Sequence, residues 1–257
     1  MKTQLLFLLL STLFSLKTTA QDVQTRSLPF FNKISYEGYG SIFLEPSDDP
    51  AIKVQSSADY SSEHIRTEVR DETLYVWYDF KTANNAPFDH QRIDVYLYYP
   101  ALTHLELKGK IRVDGIQPVS SEDFSITATG NIDLRLPVEV DHLTAKFTGE
   151  INAALTGKVN HEDINFTGRG SLNILELHAQ TAQIHTDGKA QVYLPYIASM
   201  QAMAAGMSEI VYRNNPAYRV SKAIPNSTTK YDRYSFPLAN LTFFPNHCKC
   251  PEISLNL

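Results

Sequence analysis

Acidic and basic side chains recur through the middle of the sequence, and side chains of these types catalyse polysaccharide cleavage when they are suitably placed. A glycosidase needs two facing carboxyl groups roughly 5–10 Å apart, and a lyase needs a basic residue that removes a sugar proton. The middle of the sequence repeats about every twenty residues, and no two acids occupy equivalent positions in adjacent repeats. The equivalents of Asp133 in the following repeats, for example, are Asn152 and Asn173. We therefore expect no catalytic residues, and we interpret the candidates as a solvated surface. These candidates are Asp133, Glu150, Arg169, His185 and Asp187.

The spacing of Gly168 and Gly170 in FTGRGSLNIL is one that also occurs in phosphate-binding loops. Such a loop needs a following helix, whose N-terminal N–H groups hold the anion. Here Leu172 and Ile174 alternate with polar residues, which is typical of a strand. The same motif recurs in YEGYGSIFL, so we interpret the glycines as corners of a repeat and expect no cofactor.

The two cysteines, Cys248 and Cys250, lie together in NHCKCPE near the end of the chain. A disulfide between residues i and i+2 is strained, and His247 adds too few ligands for a metal site. We expect no bound metal here. The remaining interpretations are exposed thiols, a local bridge or an intermolecular bridge.

Small residues recur about every twenty positions, which is typical of stacked structural repeats. Taking the last small residue before each strand as position zero gives separations of 21, 19, 21, 18 and 20 residues. Positions +2 and +4 are mostly apolar, whereas +1 and +3 are mostly polar, as in strands with one buried face. The position-zero residues are Gly109, Gly130, Gly149, Gly170, Gly188 and Ser208. The +2 residues are Ile111, Ile132, Ile151, Leu172, Ala190 and Ile210.

This pattern predicts an all-β fold, a parallel β-solenoid with rungs of about twenty residues and irregular end caps. A two-sheet sandwich is the alternative. Earlier segments predict longer strands with turns at Asp71–Glu72 and near Tyr99–Pro100, forming wider first turns of the solenoid. After Arg213 we expect an irregular cap, and IASMQAMAAGM has a composition that also suits a helical turn.

The first twenty residues predict a cleaved secretory signal peptide. Lys2 precedes an apolar run from Leu5 to Leu16, which is too short to span a membrane, and small residues end at Ala20. Removing residues 1–20 takes away two of 23 basic residues and none of 28 acidic ones, giving a net charge of −7. This charge argues against nucleic acid or an anionic membrane as partner, and we expect no transmembrane segment.

The order of the motifs resembles one known family. The motifs are, in chain order, SLPFFNKISYEGYGSIFLEPSDDPAIKVQSS, IRTEVRDETLYVWY, RIDVYLYYPALTHLELKGKIRV, GRGSL and SEIVYRNNPAYRV. Together they resemble the putative auto-transporter adhesin, head GIN domain family of Bacteroidetes-type envelope proteins, over roughly residues 26 to 225. The resemblance implies a β-solenoid in an exported cell-envelope protein, periplasmic, outer-membrane-associated or extracellular, with adhesion as its role. We expect three segments: a signal peptide at 1–20, a head GIN-like β-solenoid domain at 21–225 and a C-terminal cap or tail at 226–257.

The polar columns provide evenly spaced donors and acceptors that suit a repeating ligand. We expect binding residues at Asn131, Asp133, Asn152 and Asn173, and an unidentified cell-surface glycan or envelope protein as partner. Asparagine ladders also stabilise stacked strands without any ligand. A polysaccharide-degrading enzyme and a purely structural envelope scaffold therefore remain as alternatives.

Overall fold

The computed structural model describes residues 22–56, 64–79, 93–213, 218–224 and 226–231. Nearly all of these residues lie in β-strands of one 12-stranded sheet, and no α-helix occurs among them. The strands are β1 (Asp22–Ser27), β2 (Lys33–Pro46), β3 (Ala51–Ser56), β4 (Ile65–Arg70), β5 (Thr73–Tyr78), β6 (Ile93–Tyr99), β7 (His104–Gly115), β8 (Val119–Leu194), β9 (Ile197–Ala204), β10 (Glu209–Tyr212), β11 (Tyr218–Ala223) and β12 (Thr228–Tyr231). The predicted signal peptide, both cysteines and most of residues 226–257 lie outside the described residues.

The core is one apolar cluster built by alternation along the strands. In β8, the 76-residue segment that carries most of the repeat, buried and exposed positions alternate for long stretches. Ile132 and Ile151 are fully buried, as are Leu172 and Ile210. The predicted burial of these four side chains is therefore confirmed, because period-two patterning assigns each residue to one face of a strand.

Successive segments stack side by side in parallel. β7 pairs with β8 from His104↔Ser125 to Asp114↔Arg135, and β10 pairs with β8 from Glu209↔Gln191 to Tyr212↔Leu194. Each register joins residues one repeat apart in the sequence. Such pairing satisfies the backbone groups of each strand on both sides, and it places equivalent residues of neighbouring repeats one above another.

Glycines mark the places where a repeat segment lies closely against the previous one. Gly130 has a φ of 120° and Gly170 a φ of 130°, a region that side chains rarely allow. A Cβ atom on Gly130 would overlap the carbonyl oxygen of Gly109, and one on Gly170 would overlap that of Ile151. Strand residues and no helix follow the glycine pair, as the repeat interpretation predicts, and both glycines lie within β8.

The predicted alignment is wrong by two residues in the later repeats. Gly168 lies against Gly149, Gly188 against Gly168 and Gly206 against Gly188. Position zero is therefore held by Gly168 and Gly206 in place of the predicted Gly170 and Ser208. A shift of two residues keeps every side chain on the same face, so the apolar alternation could not reveal the error.

The first third of the sheet is mixed, not purely parallel. β2 pairs in parallel with β5, β6 and β7, whereas β1 with β3, β3 with β6, and β4 with β5 are antiparallel. The predicted turn at Asp71–Glu72 is confirmed, since both residues have positive φ (49° and 57°) and join β4 to β5.

The repeat continues beyond Arg213, where we expected irregular structure. β11 pairs in parallel with β9 from Tyr218↔Ser199, and β12 pairs in parallel with β10 from Thr228↔Glu209. Residues 197–204 form strand β9 and not the helical turn that their composition allows. Pairing with an existing strand outweighs the high helix propensity of alanine and methionine here, since tertiary context routinely overrides propensity.

Candidate ligand-binding surface

Three polar residues of successive repeats form a continuous line of hydrogen bonds on the outward face of β8. The Asn152 Nδ2 amide donates to Asp133 Oδ1 at 3.3 Å, and the Ser171 hydroxyl donates to Asn152 Oδ1 at 3.1 Å. Each step spans 19 residues, the offset between these neighbouring segments. We call Asp133, Asn152 and Ser171 the outward ladder.

The same polar row continues through later strands. Gln191 pairs in register with Glu209, and Glu209 with Thr228. Neighbouring strands lie about 4.8 Å apart, so these positions present a polar group at that interval along the face. Asn131, another of the predicted binding residues, is also exposed and precedes Asp133 by two positions.

Asn173 does not belong to this ladder. The glycine register places it two positions beyond Ser171, and its side-chain oxygen accepts a hydrogen bond from the backbone N–H of Leu175 at 3.1 Å. Its side chain is only partly exposed. The predicted stacking of Asn173 on Asn152 is therefore corrected, and Ser171 takes its place because of the two-residue shift in register.

The residues considered for acid–base chemistry are distributed over the surface. The Arg169 guanidinium donates to Glu150 Oε2 at 2.7 Å, in an exposed ion pair between adjacent repeats. Asp133 accepts the Asn152 amide, so each carboxylate has a neutral or cationic neighbour in its own column. Asp187 is exposed and His185 is half-buried. Among the described residues, no cluster of three or more His, Cys, Asp or Glu side chains could hold a metal.

A shallow groove of about 540 Å³ on β8 and β9 is a second candidate surface. Gln183 lies in register with Gln201, and His185 with Met203. The Asn165 amide donates to Asp163 Oδ1 at 3.2 Å beside them. His185 Nδ1 is buried and has no hydrogen-bond partner in the part of the chain that the structure describes.

Sequence reasoning named His185 but missed the groove. The alignment compared the residues just after each glycine, whereas the residues that line the groove precede Gly168, Gly188 and Gly206. Gln183 and Gln201 face each other one repeat apart, so the same periodicity applied to those positions would have found them.

The fold and the outward ladder define an all-β repeat protein with regularly spaced polar side chains on an exposed sheet face. The family described as putative auto-transporter adhesin, head GIN domain, matches residues 30–216. The chain belongs to this family. A search of curated proteins gave no significant match.

Solved structures share the fold. A putative adhesin from Bacteroides fragilis NCTC 9343 is similar with a TM-score of 0.76 and 18% identity, covering 83% of this chain and 97% of the other. A putative lipid binding protein from Parabacteroides distasonis ATCC 8503 has a TM-score of 0.61 and 16% identity, covering 82% and 97%. A putative adhesin from Parabacteroides merdae ATCC 43184 has a TM-score of 0.54 and 16% identity, covering 83% and 96%. At these identities the likeness concerns the fold alone.

Proposed function

We propose that this protein is a non-catalytic, exported cell-envelope protein that recognises a glycan or protein ligand. The observation that carries the proposal is the outward ladder, in which Asp133, Asn152 and Ser171 present polar groups at one strand spacing. Carboxylate, carboxamide and hydroxyl groups offer donors and acceptors to sugar hydroxyls and peptide groups. Their regular spacing suits a ligand with its own repeat.

We infer that the repeat closes into a parallel β-solenoid. Three features support this architecture: parallel registers offset by one repeat, a single apolar core, and glycines packed on the backbone of the preceding repeat. A solenoid forms a rigid and extended surface, on which many weak contacts to a polymer add together.

The groove is lined by both polar and apolar side chains. Its wall contains carboxamides, a carboxylate and an imidazole, together with the apolar side chains of Ile184, Ala202 and Met203. An acyl chain would leave these polar groups unpaired, which costs free energy. We therefore favour a glycan or peptide over a lipid tail, although one structural neighbour is titled a putative lipid binding protein.

The proposal of non-catalytic recognition rests on the neighbours of the candidate carboxylates, none of which is a second carboxyl group. Glu150 is paired with Arg169, and Asp133 with Asn152, so neither pair supplies the two carboxyl groups of a glycosidase. Proposed export agrees with the adhesin family and with the signal sequence expected over residues 1–20. Among the described residues, no helix has the length and apolarity of a membrane span.

A binding screen with matched variants tests the site. The mature protein, residues 21–257, is applied to an array of bacterial and host glycans, and hits are measured by calorimetry. The variant N131A/D133A/N152A should lose at least tenfold in affinity while its circular dichroism is unchanged, because all three side chains are exposed. The control E139A/K158A/E176A changes three exposed residues elsewhere in β8 and should bind normally. Equal binding by both variants would remove the outward ladder as the site.

A further inference from the structure

We propose that His142 and His161 form a chelating site for a divalent late transition-metal ion. The two imidazole rings lie on neighbouring repeat segments, with ring centroids 5.0 Å apart and planes inclined by only 17°. Both side chains are exposed. The adjacent Asp141 and Asn160 keep the same register, and their side chains hydrogen bond at 2.6 Å. The strand pairing thus holds the two imidazoles side by side.

The third repeat in this row prepares one ring for metal binding. His161 Nδ1 lies 2.6 Å from the Thr181 hydroxyl oxygen. When Nδ1–H donates to that oxygen, Nε2 keeps its lone pair and is the ring nitrogen left to bind an ion. Metal-binding histidines are commonly oriented in this way, by a hydrogen bond from the other ring nitrogen. Thr181 is therefore a positioning residue for His161.

The spacing allows both rings to reach one ion. Metal–nitrogen bonds are about 2.0–2.1 Å long, so the two ligand nitrogens must approach to roughly 3–4 Å. Rings with centroids 5.0 Å apart achieve this by a small tilt of their outer edges. Since His142 is exposed, its tilt displaces no core side chain.

The ligand set predicts which ions bind. No cluster of three or more His, Cys, Asp or Glu ligands occurs in the described residues, so water must complete the coordination. Neutral imidazoles favour Zn²⁺, Ni²⁺ and Cu²⁺, with Cu²⁺ the tightest, and they disfavour Mg²⁺ and Ca²⁺.

The test follows the imidazole resonances of the tag-free mature protein by NMR during titration with ZnCl₂. The ring signals of His142 and His161 should shift together and saturate with the same dissociation constant. In H142A the dissociation constant for Zn²⁺ measured from the His161 ring signals should rise at least tenfold. The control H178A removes another exposed histidine of β8 and should leave that constant unchanged.

MgCl₂ at the same concentration should shift neither signal. The proposal is overturned if Zn²⁺ shifts only one of the two rings, or if H142A leaves the response of His161 intact. Either result would reduce the pair to stacked surface rings. The outcome does not depend on glycan or protein recognition, because the ion itself is the probe.

Discussion

At the residue scale, Glu162 is the most unusual side chain of the core. It is 3% exposed, and neither carboxylate oxygen has a hydrogen-bond partner among the described residues. Burial disfavours the charged form and raises the pKa of Glu162 to about 8. The folded protein therefore keeps a proton that the unfolded chain loses at a much lower pH.

The pH dependence of stability follows from this difference. Between the unfolded pKa, about 4.5, and the folded pKa, the folded state binds more protons, so stability falls as the pH rises through that window. At about 1.4 kcal/mol per pKa unit, the full loss is on the order of 5 kcal/mol. Urea unfolding at pH 5 and pH 8 should show most of this fall in the wild type and a much smaller one in E162M and E162Q. An equal pH dependence in all three proteins would show that Glu162 is not the cause.

At the element scale, the strands and their faces could be predicted from the sequence, but some of the stacking partners could not. Alternation assigned Ile151 and Leu172 to the core because burial acts on every second residue. The alignment on the predicted position-zero residues placed Leu172 beside Ile151, whereas the observed glycine contacts place Gly170 beside Ile151. In GRG either glycine could serve as the corner, and only backbone contact between Gly168 and Gly149 distinguishes them.

The same limit applied to the candidate site. Asp133 and Asn152 were paired correctly from sequence, since the glycines before them are unambiguous. Asn173 was misplaced because it follows the ambiguous pair. β11 and β12 were missed since the period is hard to follow through short strands without position-zero glycines.

Disulfide cross-linking tests the register directly. In a C248S/C250S background, N152C/S171C should oxidise readily, because facing residues of adjacent strands have Cα atoms within the range a disulfide requires. N152C/N173C should not, since two further residues add about 6.6 Å along the strand. Gel mobility after mild oxidation gives the readout. Faster cross-linking of N152C/N173C than of N152C/S171C would restore the alignment that the sequence suggested.

At the scale of the whole molecule, membership of an adhesin-like family agrees with an exported protein. Cleavage after Ala20 is the expected step, because small residues follow the apolar run. The intact mass of the exported protein should correspond to a chain starting at Gln21. A mass that includes residues 1–20 would show that this segment is an anchor.

Recognition without catalysis leaves a bound glycan chemically unchanged, so the mass of the ligand distinguishes binding from cleavage. The mature protein is incubated with a glycan that it retains, and the ligand is recovered and examined by mass spectrometry. We expect saturable binding that is lost in N131A/D133A/N152A, and a ligand of unchanged mass. Shorter or unsaturated products that disappear in a single variant such as E150Q would contradict this expectation and establish an enzyme.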